Sequence, residues 1–216
     1  MTIQLPVPDF AAARHSMVEN QLRPQGVTDA GVVAAMRAVA RERFVPEAVR
    51  PVAYGDRALA LGAGRFLASP AVHGQLLTQM APQPGNRALV VGAGTGYSAA
   101  VLEHIGCAVT ALEVEPQLAA TARTLGIEVV EGALTEGHAA AAPYDLILID
   151  GAVEFIPDAL VAQLADGGRL GAALVERGIS RLVIGRKAGG GFGYLSIADA
   201  GVPALPGFAR PRAFTF

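Results

Sequence analysis

The chain has 216 residues, 52% of them hydrophobic but only 6% aromatic and none Trp, so a sizeable core has to be built from many Ala, Val and Leu side chains; that length favours one α/β domain over two. A formal net charge of −2 and a pI near 6.1 leave no diffuse basic field to gather a nucleic-acid backbone. The single Cys107 closes no intramolecular disulfide and seeds no metal cluster, the N-terminus lacks a leader pattern, and no run approaches the ~18 apolar residues of a spanning helix. The expectation is a protein of the reducing cytoplasm with no metal, no membrane and no nucleic-acid partner.

Residues 10 to 50 read as helical, with Val32, Val33, Met36 and Val39 on one face, Thr28 and Asp29 placed to cap the start, and Pro46 and Pro51 breaking the pattern. Residues 51 to 70, rich in Gly and small side chains, read as an irregular loop long enough to be a functional lid. Helical spacing resumes over Ala71 to Met80. Strands and helices then alternate: Ala88–Gly92, a helix from Ser98, Val109–Val114, a helix from Gln117, Ile127–Val130 and Tyr144–Asp150. Such alternation implies a mainly parallel sheet with helices on both faces. A helix over Pro157 to Leu164, a strand over Leu170 to Val175, and an Arg181–Ala198 stretch broken by Gly189-Gly190-Gly191 complete the pattern as terminal strands with a turn.

The chemistry concentrates at Leu89-Val90-Val91-Gly92-Ala93-Gly94-Thr95-Gly96-Tyr97, where an apolar run meets three alternating glycines. Missing Cβ atoms let a ligand lie against the backbone, and Glu113, 21 residues after Gly92 at the end of the next strand, is placed to accept hydrogen bonds from a ribose. Gly96 follows Gly94 by two positions, whereas the dinucleotide fingerprint needs three. That spacing favours S-adenosylmethionine over NAD. Asp150 ends another strand on the same rim, facing a ligand or forming a turn before Gly151. Cys107 reads as core filling, and His15, His73, His104 and His138 read as structural or exposed.

Several short segments together resemble the protein-L-isoaspartate O-methyltransferase family: Met17-Val18-Glu19-Asn20-Gln21-Leu22-Arg23, Arg41-Glu42-Arg43-Phe44-Val45-Pro46, Ala53-Tyr54-Gly55-Asp56 through Leu61-Gly62-Ala63-Gly64, the glycine turn with Tyr97, and Phe155-Ile156-Pro157 through Gly167-Gly168-Arg169-Leu170. Their order and spacing agree over roughly residues 14 to 185. The resemblance implies a Rossmann-like class I methyltransferase fold, with residues 1–80 as N-terminal helices and acceptor lid and 81–216 as the doubly wound core. It also implies S-adenosylmethionine as cofactor and the carboxylate of isoaspartyl residues in damaged protein as acceptor. Transfer to a carboxylate ionised at pH 7 needs no general base, so positioning dominates. The methyl ester then leaves as the neighbouring backbone nitrogen closes a succinimide, whose hydrolysis returns some normal aspartate.

On that resemblance the cofactor site comprises Gly92, Ala93, Gly94, Gly96, Tyr97, Glu113, Val114, Ala133, Leu134 and Asp150, while Ser69, Asp56 and Arg65 are the candidate catalytic group. Family members usually read Gln-Thr-Ile-Ser after the glycine matching Gly64, where this chain has Arg65-Phe66-Leu67-Ala68, so Ala68 takes the place of the acceptor serine and Ser69 comes one position late. Ser69 is either redirected toward the acceptor or bonded to the backbone ahead of Pro70. Arg65, with its planar fork of donors, is a candidate carboxylate binder. Asp56 is placed to organise the lid near the cofactor amine or to hold a turn. Val90 and Gly132-Ala133-Leu134 stand where the family usually carries acids, which removes a side-chain acceptor from the adenine.

Overall fold

The computed structural model describes residues 9–210. Helix α1 (Phe10–Met17) starts where the Asp9 carboxylate accepts from the Ala12 amide, and continues through a wide turn at Val18–Leu22 and a tight one at Arg23–Gln25. Asp29 caps α2 (Ala30–Ala38) by accepting from Val32 N at 2.9 Å, so the predicted stripe is real for Val32, Val33 and Met36, which are buried; Val39 already lies past the helix end. Beyond it the predicted helix gives way to short 3-10 turns at Arg41–Phe44 and Glu47–Val52, the second carrying Pro51 inside it.

The stretch expected to be an irregular loop is partly ordered as an antiparallel hairpin, β1 (Leu59–Gly62) with β2 (Arg65–Leu67), turning through Gly62, Ala63 and Gly64 at φ of 100°, 49° and 70°. The sequence signal was misleading because the strands are only four and three residues long and the turn glycines dominate the composition. Helix α3 follows at Pro70–Met80.

The core sheet has β3 (Arg87–Val91), β4 (Ala108–Glu113), β5 (Val129–Glu131), β6 (Tyr144–Val153), β7 (Leu164–Glu176), β8 (Ile179–Ala188) and β9 (Gly191–Asp199), in the order β5-β4-β3-β6-β7-β8-β9. Pairings from β5 across to β7 are parallel and the last two antiparallel, through tight turns at Arg177-Gly178 and Gly189-Gly190. Crossovers run through α4 (Tyr97–Ile105), α5 (Pro116–Thr124) and α6 (Asp158–Ala162). Both faces are covered. Ala88, Val90, Leu146 and Leu148 enter one apolar cluster with the N-terminal helices, while the alternating Leu89, Val91, Ile147 and Ile149 enter a second with Leu160, Leu170 and Phe208. Strand order reverses between β3 and β6, which puts the switch point, the usual ligand crevice of such sheets, above Gly92 and Gly151.

Among the described residues no helix is long and apolar enough to cross a membrane, and no cluster of His, Cys, Asp and Glu could hold a metal ion. Burial raises the Cys107 thiol to about 11, so this side chain fills space, as expected, rather than reacting.

Candidate cofactor crevice

The chain leaves β3 into a turn with Gly92, Gly94 and Gly96 at φ of 75°, 58° and 95°, conformations that side chains resist. The Gly92 and Ala93 amides both bond Leu112 O, at 2.9 and 3.0 Å, which fixes the turn against the end of β4. Glu113 is fully buried beside it and accepts from Gly94 N at 2.6 Å, Val114 N at 2.8 Å, Glu115 N at 3.0 Å and Arg65 Nη1 at 2.7 Å. Three of these donors share Oε1 and one, the Gly94 amide, meets Oε2. The second Arg65 nitrogen, Nη2, donates to Gly92 O at 2.7 Å, and the Arg65 side chain is only 2% exposed.

The space the glycines leave open is filled from within. A Cβ on Gly92 would meet Arg65 Nη2 at 2.7 Å and Leu205 Cδ1 at 3.0 Å, and one on Gly151 would meet Leu205 Cβ at 2.8 Å. Gly94 faces Leu61 and Gly96 faces Ile127, each within 3 Å. What remains between Arg65, Ala68, Asp150 and Leu205 is a cavity of about 10 Å³, room for one water, whereas a nucleoside-sized ligand needs several hundred. Larger hollows of 580 and 910 Å³ lie elsewhere, beside Ile127–Val130 and around the β7–β8 turn. The residue types at this crevice are those an adenosyl group calls for, yet in this conformation they do not accommodate it.

Below the crevice lies a buried polar cluster. Asp150 Oδ1 lies 3.1 Å from His73 Nε2, Asp150 Oδ2 accepts from Ser98 Oγ at 2.5 Å, and Ser98 Oγ is 3.0 Å from His73 Nε2. Arg41 Nη1 approaches His73 Nδ1 at 3.5 Å, an arrangement that suits the tautomer with its proton on Nε2, directed at Asp150. Burial pushes the Asp150 carboxyl up, but His73 and Ser98 bonded to it and the nearby Arg65 together hold it below the ordinary value. The trio is no nucleophile relay: the Ser98 proton goes to the carboxylate, and Ser98 and His73 are each only 1% exposed.

Arg41, fully buried, ties the lid down. It donates from Nε to Ala53 O at 2.8 Å and from Nη2 to Ala68 O at 2.5 Å, and lies 5.0 Å from the centre of the Tyr97 ring. Desolvation lowers its pKa, so the charge is held at a cost by these acceptors. The Met17–Arg23 segment adds Gln21 Nε2 to Tyr54 O at 2.8 Å, and Thr95 Oγ1 donates to Phe44 O at 2.5 Å, joining the Arg41–Phe44 turn to the glycine turn.

Of the expected site residues, Arg65 and Asp150 line the crevice and several others stand apart from it. Ser69 is the N-cap of α3, its hydroxyl accepting from Val72 N at 3.4 Å, which is the backbone role and not the acceptor one. Exposed Asp56 accepts from Gln25 Nε2 at 3.0 Å and Ala71 N at 3.4 Å. Tyr97 is buried between Phe44, His73 and Arg41. Val114 and Ala133 are exposed and Leu134 belongs to the second apolar cluster. Arg65 binds Glu113 where it was expected to meet an acceptor. Asp150 faces inward to His73 and Ser98. His73, Ser98 and Leu205 carry no local motif; only their meeting in space marks them.

The family described as Protein-L-isoaspartate(D-aspartate) O-methyltransferase matches residues 13–193. Relatives named protein-L-isoaspartate O-methyltransferase include one from Methylorubrum extorquens, 46% identical over 172 residues covering 76% of this chain and 75% of the relative. Another, from Methanoculleus marisnigri, is 38% identical over 177 residues, 79% of this chain and 80% of the relative. Among solved structures, a protein-L-isoaspartate O-methyltransferase superposes with a TM-score of 0.78 at 22% identity over 90% of this chain and 66% of the other. A Plasmodium falciparum structure in complex with S-adenosyl-L-homocysteine gives 0.76 at 22% identity, over 89% and 97%. Both show the same fold.

Proposed function

The chain belongs to the protein-L-isoaspartate O-methyltransferase family, and from that premise we propose that it transfers a methyl group from S-adenosylmethionine to the carboxylate of isoaspartyl residues in damaged proteins. The observation that carries this reading is the Gly92–Gly96 turn with buried Glu113 at the carboxyl ends of β3 and β4, inside a family match that spans most of the chain. The acceptor carboxylate is ionised at neutral pH, so no general base is asked of the chain. Its own task is orientation and water exclusion, for which a lid held by Arg41 and Gln21 is suited. The proposed setting is the reducing cytoplasm, with isoaspartyl peptides or proteins as partners.

A second reading, a relative acting on another carboxylate or a small molecule, draws on one observation: Ala68 is buried with its carbonyl on Arg41, and Ser69 is committed to capping α3. The deciding measurement is methanol release on base treatment after incubation with S-adenosylmethionine and an isoaspartyl peptide or its normal aspartyl twin. Release from the isoaspartyl peptide alone supports the first reading; release from neither, with the cofactor bound, removes it.

A further inference from the structure

We propose that this chain rests in a self-closed form in which Arg65 and Leu205 stand where a nucleoside would lie, and that residues 202–208 are a strap which has to leave β6 before an adenosyl ligand can enter. The inference builds on the methyltransferase reading and adds a gate that reading does not contain.

Arg65 Nη1 donates to Glu113 Oε1, as a ribose hydroxyl would, and so takes a place on the carboxylate that such a hydroxyl would need. Leu205 supplies the apolar bulk, seated between Gly92 and Gly151, the two glycines flanking the switch point of the sheet. Those two side chains reach the crevice from segments on either side of β3 in the sequence and meet at a cavity of about 10 Å³. A glycine turn kept only for packing would not need a buried ion pair on one side and a C-terminal leucine on the other.

The backbone that carries each closing element is short, although their side chains are buried: Arg65 pairs with Glu113, and Leu205 and Phe208 belong to the second apolar cluster. Arg65 opens β2, half of a hairpin with three paired positions, and two-stranded hairpins are marginal by themselves. The strap is joined to β6 and its extension by three backbone hydrogen bonds: Ala152 N to Pro203 O at 2.9 Å, Leu205 N to Ala152 O at 2.7 Å and Glu154 N to Phe208 O at 3.2 Å. They fall at the C-terminal end of β6, just past the Leu148–Ala152 irregularity and where pairing with β7 has resumed at Ala152 and Val153, so the strap adds only a short edge of bonds to that strand. A ligand that binds only the open form has its apparent affinity reduced by the fraction of molecules that are open.

The test is calorimetric titration of the full chain with S-adenosylhomocysteine, comparing the unsubstituted protein with Arg65→Gln and Leu205→Ala, each first checked for a cooperative thermal melt. Hydrogen exchange at the Leu205 and Glu154 amides is followed in parallel. The expected result is at least tenfold tighter binding by Leu205→Ala, which leaves the Glu113 ion pair in place, and by Arg65→Gln, together with loss of amide protection when the unsubstituted protein is saturated. Affinities within twofold across the three proteins, with both amides still protected at saturation, would overturn the gate. So would absence of binding by all three folded proteins, since opening would then uncover no nucleoside site. A protein that binds the ligand as expected but releases no methanol from isoaspartyl peptide refutes the acceptor reading and leaves the gate standing.

Discussion

Removing the Glu113 side chain should hurt this protein far more than removing its partner, although both belong to one ion pair. Glu113→Ala takes away the acceptor of three backbone amides, those of Gly94, Val114 and Glu115, and strands the Arg65 guanidinium in a place where it is 2% exposed. Leaving one partner of a buried pair uncompensated costs about 3–5 kcal/mol, and the orphaned amides add to it. For a chain of this length that is a fall in Tm on the order of 10 °C. Arg65→Met leaves the carboxylate with its three backbone donors and loses the guanidinium's two bonds, to Glu113 and to Gly92 O, about 1.5–3 kcal/mol each, against four bonds and a stranded charge for Glu113→Ala. Urea unfolding followed by circular dichroism measures both. A cost below about 1 kcal/mol for Glu113→Ala, or a larger cost for Arg65→Met than for Glu113→Ala, would refute the description of Glu113 as the hub of the crevice.

Three further outcomes follow from the same geometry. Arg41→Met should destabilise by about 1–3 kcal/mol for each carbonyl left without its donor, Ala53 O and Ala68 O, and should raise hydrogen exchange across residues 53–68 before the core sheet exchanges. Asp150 has a folded pKa below its ordinary 3.8, so its contribution is present above that value and is lost as pH falls through the lower folded one; Asp150→Asn should lower stability at neutral pH and flatten the fall of the urea midpoint as pH drops below 3.8. Ser69→Ala should cost about 1 kcal/mol as a lost helix cap and Ser69→Asp should restore most of it, whereas a carboxylate-binding serine would show its loss in acceptor KM without that rescue.

The sequence by itself determined the parts of this protein whose cause is local. Buried runs such as Leu89–Val91 and Leu146–Ile149 admit few alternatives to a parallel sheet, Asp29 ahead of α2 has one inexpensive use, and a chain that reverses through Gly92 and Gly94 has to do so wherever it folds. The position of Glu113 at the end of β4 followed from spacing alone. Tertiary structure decided what those groups touch. Arg65 and Glu113 are 48 residues apart, His73 and Asp150 are 77 apart, and Leu205 reaches Gly92 from the far end of the chain. No periodicity or motif encodes such meetings, because a side chain's partner is set by how separate elements pack and not by its neighbours in sequence. The lid follows the same rule: a four-residue strand and a three-residue strand are ordered by pairing with each other, with Arg41 holding the flanking Ala53 and Ala68 carbonyls, and composition at residues 59–67 records only the turn. Whether the crevice stands open or filled is thus a tertiary property, since the same glycines fit a bound nucleoside or a folded-in leucine equally well.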